Sequence, residues 1–110
     1  MNPPHGLGEK SVCVEGRTFS LRILQFQNGC FVSISEGEER LGAVVASLYN
    51  KSVPTTTQVI PSKSESLFMR LAAERLATRL NGIVLLSANI QNISAEMAKG
   101  IMSELDMMAL

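Results

Sequence analysis

The chain of 110 residues has no tryptophan, one tyrosine and one histidine, and its ten basic side chains balance ten acidic ones. Each scarcity excludes something. With no net charge and no run of Lys or Arg, the counterion release that drives nucleic-acid affinity is missing, so no nucleic-acid partner is expected. The lone histidine, His5, lies between Pro4 and Gly6. It has no second imidazole to share a metal with and no partner to orient it as a base. Cys13 and Cys30 form neither a CxxC pair nor a dense framework, and both read as small, reduced core residues. Asp106 is the single aspartate, and the glutamates fall in turns and on helix faces, where solvated carboxylates are the rule. No GxGxxG, GxxxxGK(S/T) or GxSxG occurs. The sequence therefore predicts no enzyme, no cofactor and no metal site. Its longest apolar stretch, residues 41–48, is too short to span a bilayer, and the start carries two prolines and no apolar signal segment. These features predict a reducing intracellular setting, in the cytoplasm and also the nucleus, and no membrane partner.

What is present is apolar. Hydrophobic residues make up 45% of the chain, and mean hydropathy is +0.17. That length suits one domain, which buries only part of its surface, so the surplus points to a partner. Pro3, Pro4, Gly6 and Gly8 predict a loose, flexible arm over residues 1–9, leaving 10–110 as the single domain.

Val12 and Val14 alternate around Cys13, and residues 15–17 (Glu-Gly-Arg) read as a turn. Phe19, Leu21 and Ile23 continue the strand period, while the apolar phase slips at Leu24 and Phe26 as though at a bulge. Asn28-Gly29 signals a hairpin through two residues that tolerate positive φ. A return strand over 30–35 follows, then a charged turn over 36–40. Residues 41–48 read as a buried strand, and 55–60, flanked by Pro54 and Pro61, as an edge strand. Ser62 with Glu65 forms a capping-box signature for a helix whose apolar stripe is Leu67, Phe68, Leu71, Ala72, Leu76 and Leu80. Arg70 and Glu74 pair on its wet side, and Asn81-Gly82 stops it. Residues 83–88 form a strand. Ser94 caps a last helix with the stripe Met97, Ala98, Ile101, Met102, Leu105 and Met108.

The predicted fold is α+β: a mainly antiparallel sheet of about six strands with two helices, in the order βββββαβα. Residues 43–46 and 83–86 are apolar at odd and even positions alike, so both faces of those strands want cover. Two helices cover one face. A partner subunit is the economical cover for the other.

Two surfaces are candidates for contact. One is residues 49–57, where Tyr49, Val53 and Pro54 precede the hydroxyl run Thr55, Thr56 and Thr57. The other is the end of the last helix, where Met107 and Met108 offer pliable apolar surface.

Residues 48–57 (Leu-Tyr-Asn-Lys-Ser-Val-Pro-Thr-Thr-Thr), 75–79 (Arg-Leu-Ala-Thr-Arg) and 84–92 (Val-Leu-Leu-Ser-Ala-Asn-Ile-Gln-Asn) together resemble the proteasome assembly chaperone 4 family. The resemblance spans about residues 30–105 in order. It does not extend to residues 1–17, and Pro61 stands where a glycine of the family would precede the first helix. It implies a non-catalytic chaperone that pairs with a similarly folded assembly chaperone 3 and supports formation of the α-ring from 20S proteasome α-subunits. Isolated from that partner, with one sheet face uncovered, the chain is expected to self-associate weakly, a homodimer being one form of this, or to behave poorly. A roadblock- or longin-like scaffold regulating a small GTPase is the alternative. Those domains usually place a helix before or between the early strands, so element order discriminates.

Overall fold

A computed structural model describes residues 7–62 and 64–109. The chain runs β1 (Leu7–Val14), β2 (Arg17–Phe26), β3 (Gly29–Glu36), β4 (Ala43–Leu48), β5 (Thr55–Ile60), α1 (Ser66–Leu80), β6 (Ile83–Asn89) and α2 (Ala95–Met108). Five strands precede the first helix, the order that separates this fold from the roadblock- or longin-like alternative. One sheet has the strand order β1-β2-β3-β6-β4-β5. All its pairs are antiparallel except β3 with β6. The expected edge strand β5 is an edge, and β1 is the other.

Both early hairpins have two-residue loops, but for different reasons. Glu15 and Gly16 take φ of 52° and 77°, the left-handed pair that matches strand twist. In the second hairpin Phe26 pairs with Gly29, and neither Asn28 nor Gly29 has positive φ. Gly29 is needed for closeness instead: a Cβ there would stand 1.9 Å from the Ile83 carbonyl oxygen of the neighbouring β6.

The two helices lie on one face of the sheet, with α1 over β4 and β6 and α2 over β1 and β2. Beneath them is the core of Phe19, Leu21, Ile23, Val32, Ile34, Val45, Val84 and Leu86, closed by Met69, Leu76, Ile101 and Leu105. Ser94 caps α2 as expected, its Oγ accepting the Met97 N–H at 3.1 Å. Asn81 stops α1 at φ 54°.

Several expectations are corrected. Residues 7–9 belong to β1, because Leu7, Gly8 and Glu9 pair with Leu24, Ile23 and Arg22. The rest of the expected arm, including His5, lies outside the described residues. Ser62 accepts the Glu65 N–H at 2.9 Å, yet Glu65 does not return the bond; it stands at the N-cap position of α1 without a side-chain capping bond and accepts the Asn92 N–H. No bulge interrupts β2, and the irregular register falls between Val44 and Val45. The buried stripe of α1 is Met69, Ala72, Ala73, Leu76 and Ala77, about one position round from the expected one. Leu67 and Leu71 are exposed as a result. Cys30 is buried, its thiol pushed up to about 11 by desolvation. Cys13 is free and exposed, because Val12 and Val14 take the inward positions on that edge strand.

An unexpected clamp joins the end of β3 to the turn before α2. Arg17 donates to Glu36 at 2.8 and 2.6 Å and to the carbonyls of Gln91 and Asn92 at 2.6 and 2.9 Å. Its guanidinium stands 5.5 Å from the Phe19 ring centroid. The hydrogen bonds from Arg17 hold the Glu36 carboxyl below its ordinary value. A lowered carboxyl contributes stability above its unfolded pKa and loses it as pH falls through the folded one.

Two predictions follow from this packing. Val45→Lys, at a site 2% exposed beneath α1, is expected to cost at least about 3 kcal/mol and leave no cooperative melt, as read by circular dichroism. In urea melts at falling pH, the wild type is expected to lose more stability than Glu36→Gln below the ordinary carboxylate range of about 4. Equal acid sensitivity in the two would remove the clamp from the account.

Candidate functional site

Side chains alternate along a strand, so the helices cover only one set of positions. The other set forms an apolar face with no helix on it. Strand register aligns Leu7, Leu24, Phe31, Leu85, Ala46 and Thr57 in one row across all six strands. A second row runs from Phe26 through Gly29, Ile83 and Leu48 to Thr55. Leu7 and Phe26 are each 55% exposed, Leu48 44%, Ile83 42%, Leu24 41% and Leu85 39%.

Leu24 and Phe26 thus break the alternation of β2 because they serve the open face. Residues 83–86 are apolar at every position because β6 meets helices on one side and nothing on the other. The expectation that the 43–46 and 83–86 strands carry apolar side chains on two faces therefore holds, with one face uncovered in the single chain.

The chain itself borders this face at one end. The loop after β3 crosses it, held by Arg40 N–H and Gly42 N–H donating to the Ser35 and Ser87 hydroxyls at 3.2 and 3.0 Å. Both serines are fully buried there. Arg22, on the open face, pairs with Glu39 of the loop and with Glu9 of β1. The result is an apolar field with a charged rim along one side, the usual anatomy of a protein interface. Six strands at about 4.8 Å spacing and about 20 Å of strand give a projected area on the order of 500 Å². The apolar rows fill part of that face, whose size suits one partner's share of a modest interface.

The sequence-derived candidates are distributed differently from one another. Tyr49 continues the inward set of β4 and packs half-buried against the core, its N–H donating to Gly82 O at 3.0 Å. It is a poor exposed anchor for that reason. Val53 is 69% exposed, and Pro54 sits against the C-terminal half of α1. Thr55 and Thr57 face the open side. Thr56 faces inward, donating to Glu74 at 2.6 Å with the Ser47 hydroxyl 3.1 Å away, so its hydroxyl is occupied within the fold. Met107 is exposed, whereas Met108 packs onto the core beside Gly8 of β1. Residues 49–57 flank the β5 edge and Met108 the β1 edge, so the two candidate surfaces do not form one site.

Sequence reasoning did not single out Leu7, Leu24, Phe26 and Phe31 as residues of the open face, and it reached Ile83 and Leu85 only as part of the run 83–86. The signal was present in the phase slip of β2 and the unbroken apolar run of β6. Among the described residues no group of three His, Cys, Asp or Glu is placed to hold a metal ion, and no helix is long and apolar enough to cross a membrane.

This architecture has a solved counterpart. A chain in the crystal structure of a chaperone complex for yeast 20S proteasome assembly is similar to it with a TM-score of 0.66. The match covers 93% of this chain and 94% of that one, at 12% sequence identity. The shared fold is that of a proteasome-assembly chaperone chain. No family model and no curated protein sequence matches. At that identity the likeness is one of architecture, strand order and helix placement.

The open face of this fold yields a prediction by contrast of neighbours. Ala46 lies beside Val45 and points the other way, and Leu85 shares its row. Ala46→Lys with Leu85→Glu is expected to keep a melting temperature within a few degrees of wild type and to abolish self-association of the isolated chain in sedimentation velocity. A loss of folding would show that this face is sealed within the monomer.

Proposed function

We propose that this protein is a non-catalytic chaperone promoting assembly of the 20S proteasome α-ring. It works in the cytoplasm and nucleus as a heterodimer with a similarly folded subunit of the assembly chaperone 3 type. The observation that carries the reading is the apolar row running across all six strands in a fold shared with a chain of a proteasome assembly chaperone complex. A like sheet laid over that row would bury it as in a sandwich of two sheets about 10 Å apart.

Pairing through the sheet leaves the β5 edge for the client. Its residues, Thr55–Ile60, carry no charge, while the β1 edge carries Glu9 and Lys10. An uncharged, unpaired edge offers backbone hydrogen bonds to a neighbouring chain. Pro54 stiffens its approach and lowers the entropy lost on docking. Val53, 69% exposed just before the strand, supplies an apolar side chain beside that edge. The chaperone would hold an α-subunit that has not met its ring neighbours, then leave. A small, partly polar contact suits that reversibility.

The test is a titration of purified α-subunits against the reconstituted heterodimer. Val53→Asp is expected to cost on the order of 2 kcal/mol, about thirtyfold in affinity, with unchanged thermal melts. No binding by the wild-type heterodimer to any α-subunit would refute the proposed function. Equal binding by the variant would move the client contact off the β5 edge.

A further inference from the structure

A second surface lies on the opposite side of the molecule from the open sheet face. Helices α1 and α2 run in the same direction: Glu65 reaches the Asn92 N–H ahead of α2, and Arg75 bonds Asp106 near its other end. They touch little directly, and an open groove of about 670 Å³ separates them. Its floor is apolar, made by Phe68, Leu71, Ala72, Ala98 and Met102. The rotated stripe of α1 is the cause, because it turns Leu71 away from the core and leaves it 52% exposed.

The charges around the groove are unequal. Arg75 and Lys99 line it, and Arg79 stands where it continues toward Pro54. The acids there are already engaged, Asp106 by Arg75 at 2.7 Å and Glu74 by Thr56 and Arg70. Among the described residues Lys99 and Arg79 make no ion pair. An occupant must therefore bring apolar side chains for the floor and negative charge for its two ends.

We propose that the groove binds an acidic amphipathic helical segment of a partner protein. Phe68 to Arg79 spans roughly 16 Å along α1, room for about three turns of helix. Apolar side chains at i, i+4 and i+7 would lie on Leu71 and Met102, and glutamates beyond them would meet Lys99 and Arg79. This site lies away from the open sheet face and meets the approach to the β5 edge only at Pro54.

The experiment uses a labelled amphipathic peptide of about 14 residues with leucines at i, i+4, i+7 and i+11 and glutamates elsewhere, alongside an isomer with lysines replacing the glutamates. Fluorescence anisotropy is expected to show the acidic peptide binding at least about tenfold tighter, a preference that falls as salt rises. Lys99→Glu with Arg79→Glu should reverse the order of the two peptides, and Leu71→Ser should weaken both. Amide shift changes on binding should map to α1 and α2 and spare β3 and β6. Equal binding of both peptides, binding by neither, or shifts confined to the sheet would overturn the proposal. Tighter binding of an anionic vesicle or a single-stranded oligonucleotide than of the acidic peptide would also overturn it.

Discussion

Strand β6 carries apolar side chains on both of its faces, and the rest of the molecule is arranged around that fact. Val84, Leu86 and Ala88 lie beneath the helices, while Ile83 and Leu85 point into solvent on the other side. A central strand pairs on both edges and cannot retreat from water by fraying. Its neighbours β3 and β4 extend the same two-faced pattern through Phe31 and Leu48. The helices cover one face, and the other stays open in the single chain. Burial of apolar area at about 25 cal/mol per Å² would favour association through that face, but the ordering costs of binding return much of it. A contact of about this size can therefore form and be undone.

Much of the fold was legible because its signals are local. Alternation placed β1 to β3, proline flanks marked β5 as an edge, and Ser94 and Asn81 set helix boundaries through caps that act within a few residues. What was not legible depended on partners far away in sequence. Gly29 looks like a turn residue until β6 is seen passing 1.9 Å from where its Cβ would be. Arg17 looks like turn polarity until Gln91 and Asn92 come round to accept from it. The α1 stripe was misjudged by one position because Met69 and Ala73 are as apolar as Leu67 and Leu71, and only tertiary packing decides between them.

The candidate site was half visible for the same reason. The apolar surplus of β4 and β6 announced a second apolar face, yet the anchors proposed at Tyr49 and Thr56 are spent within the fold. Tyr49 packs against the core with its backbone N–H on the Gly82 carbonyl, and the Thr56 hydroxyl is committed to Glu74. Aromatic and hydroxyl content flagged those residues, but sheet parity decides which face each one serves.

The most direct measurement is methyl NMR of the isoleucine and leucine side chains with a soluble paramagnetic probe, before and after addition of the assembly chaperone 3-type subunit. The account predicts that the Leu24, Ile83 and Leu85 methyl signals lose probe-induced broadening in the complex while Leu67, on α1, keeps it. Unchanged broadening at Leu24, Ile83 and Leu85, with the complex formed, would contradict the claim that this sheet face is the interface.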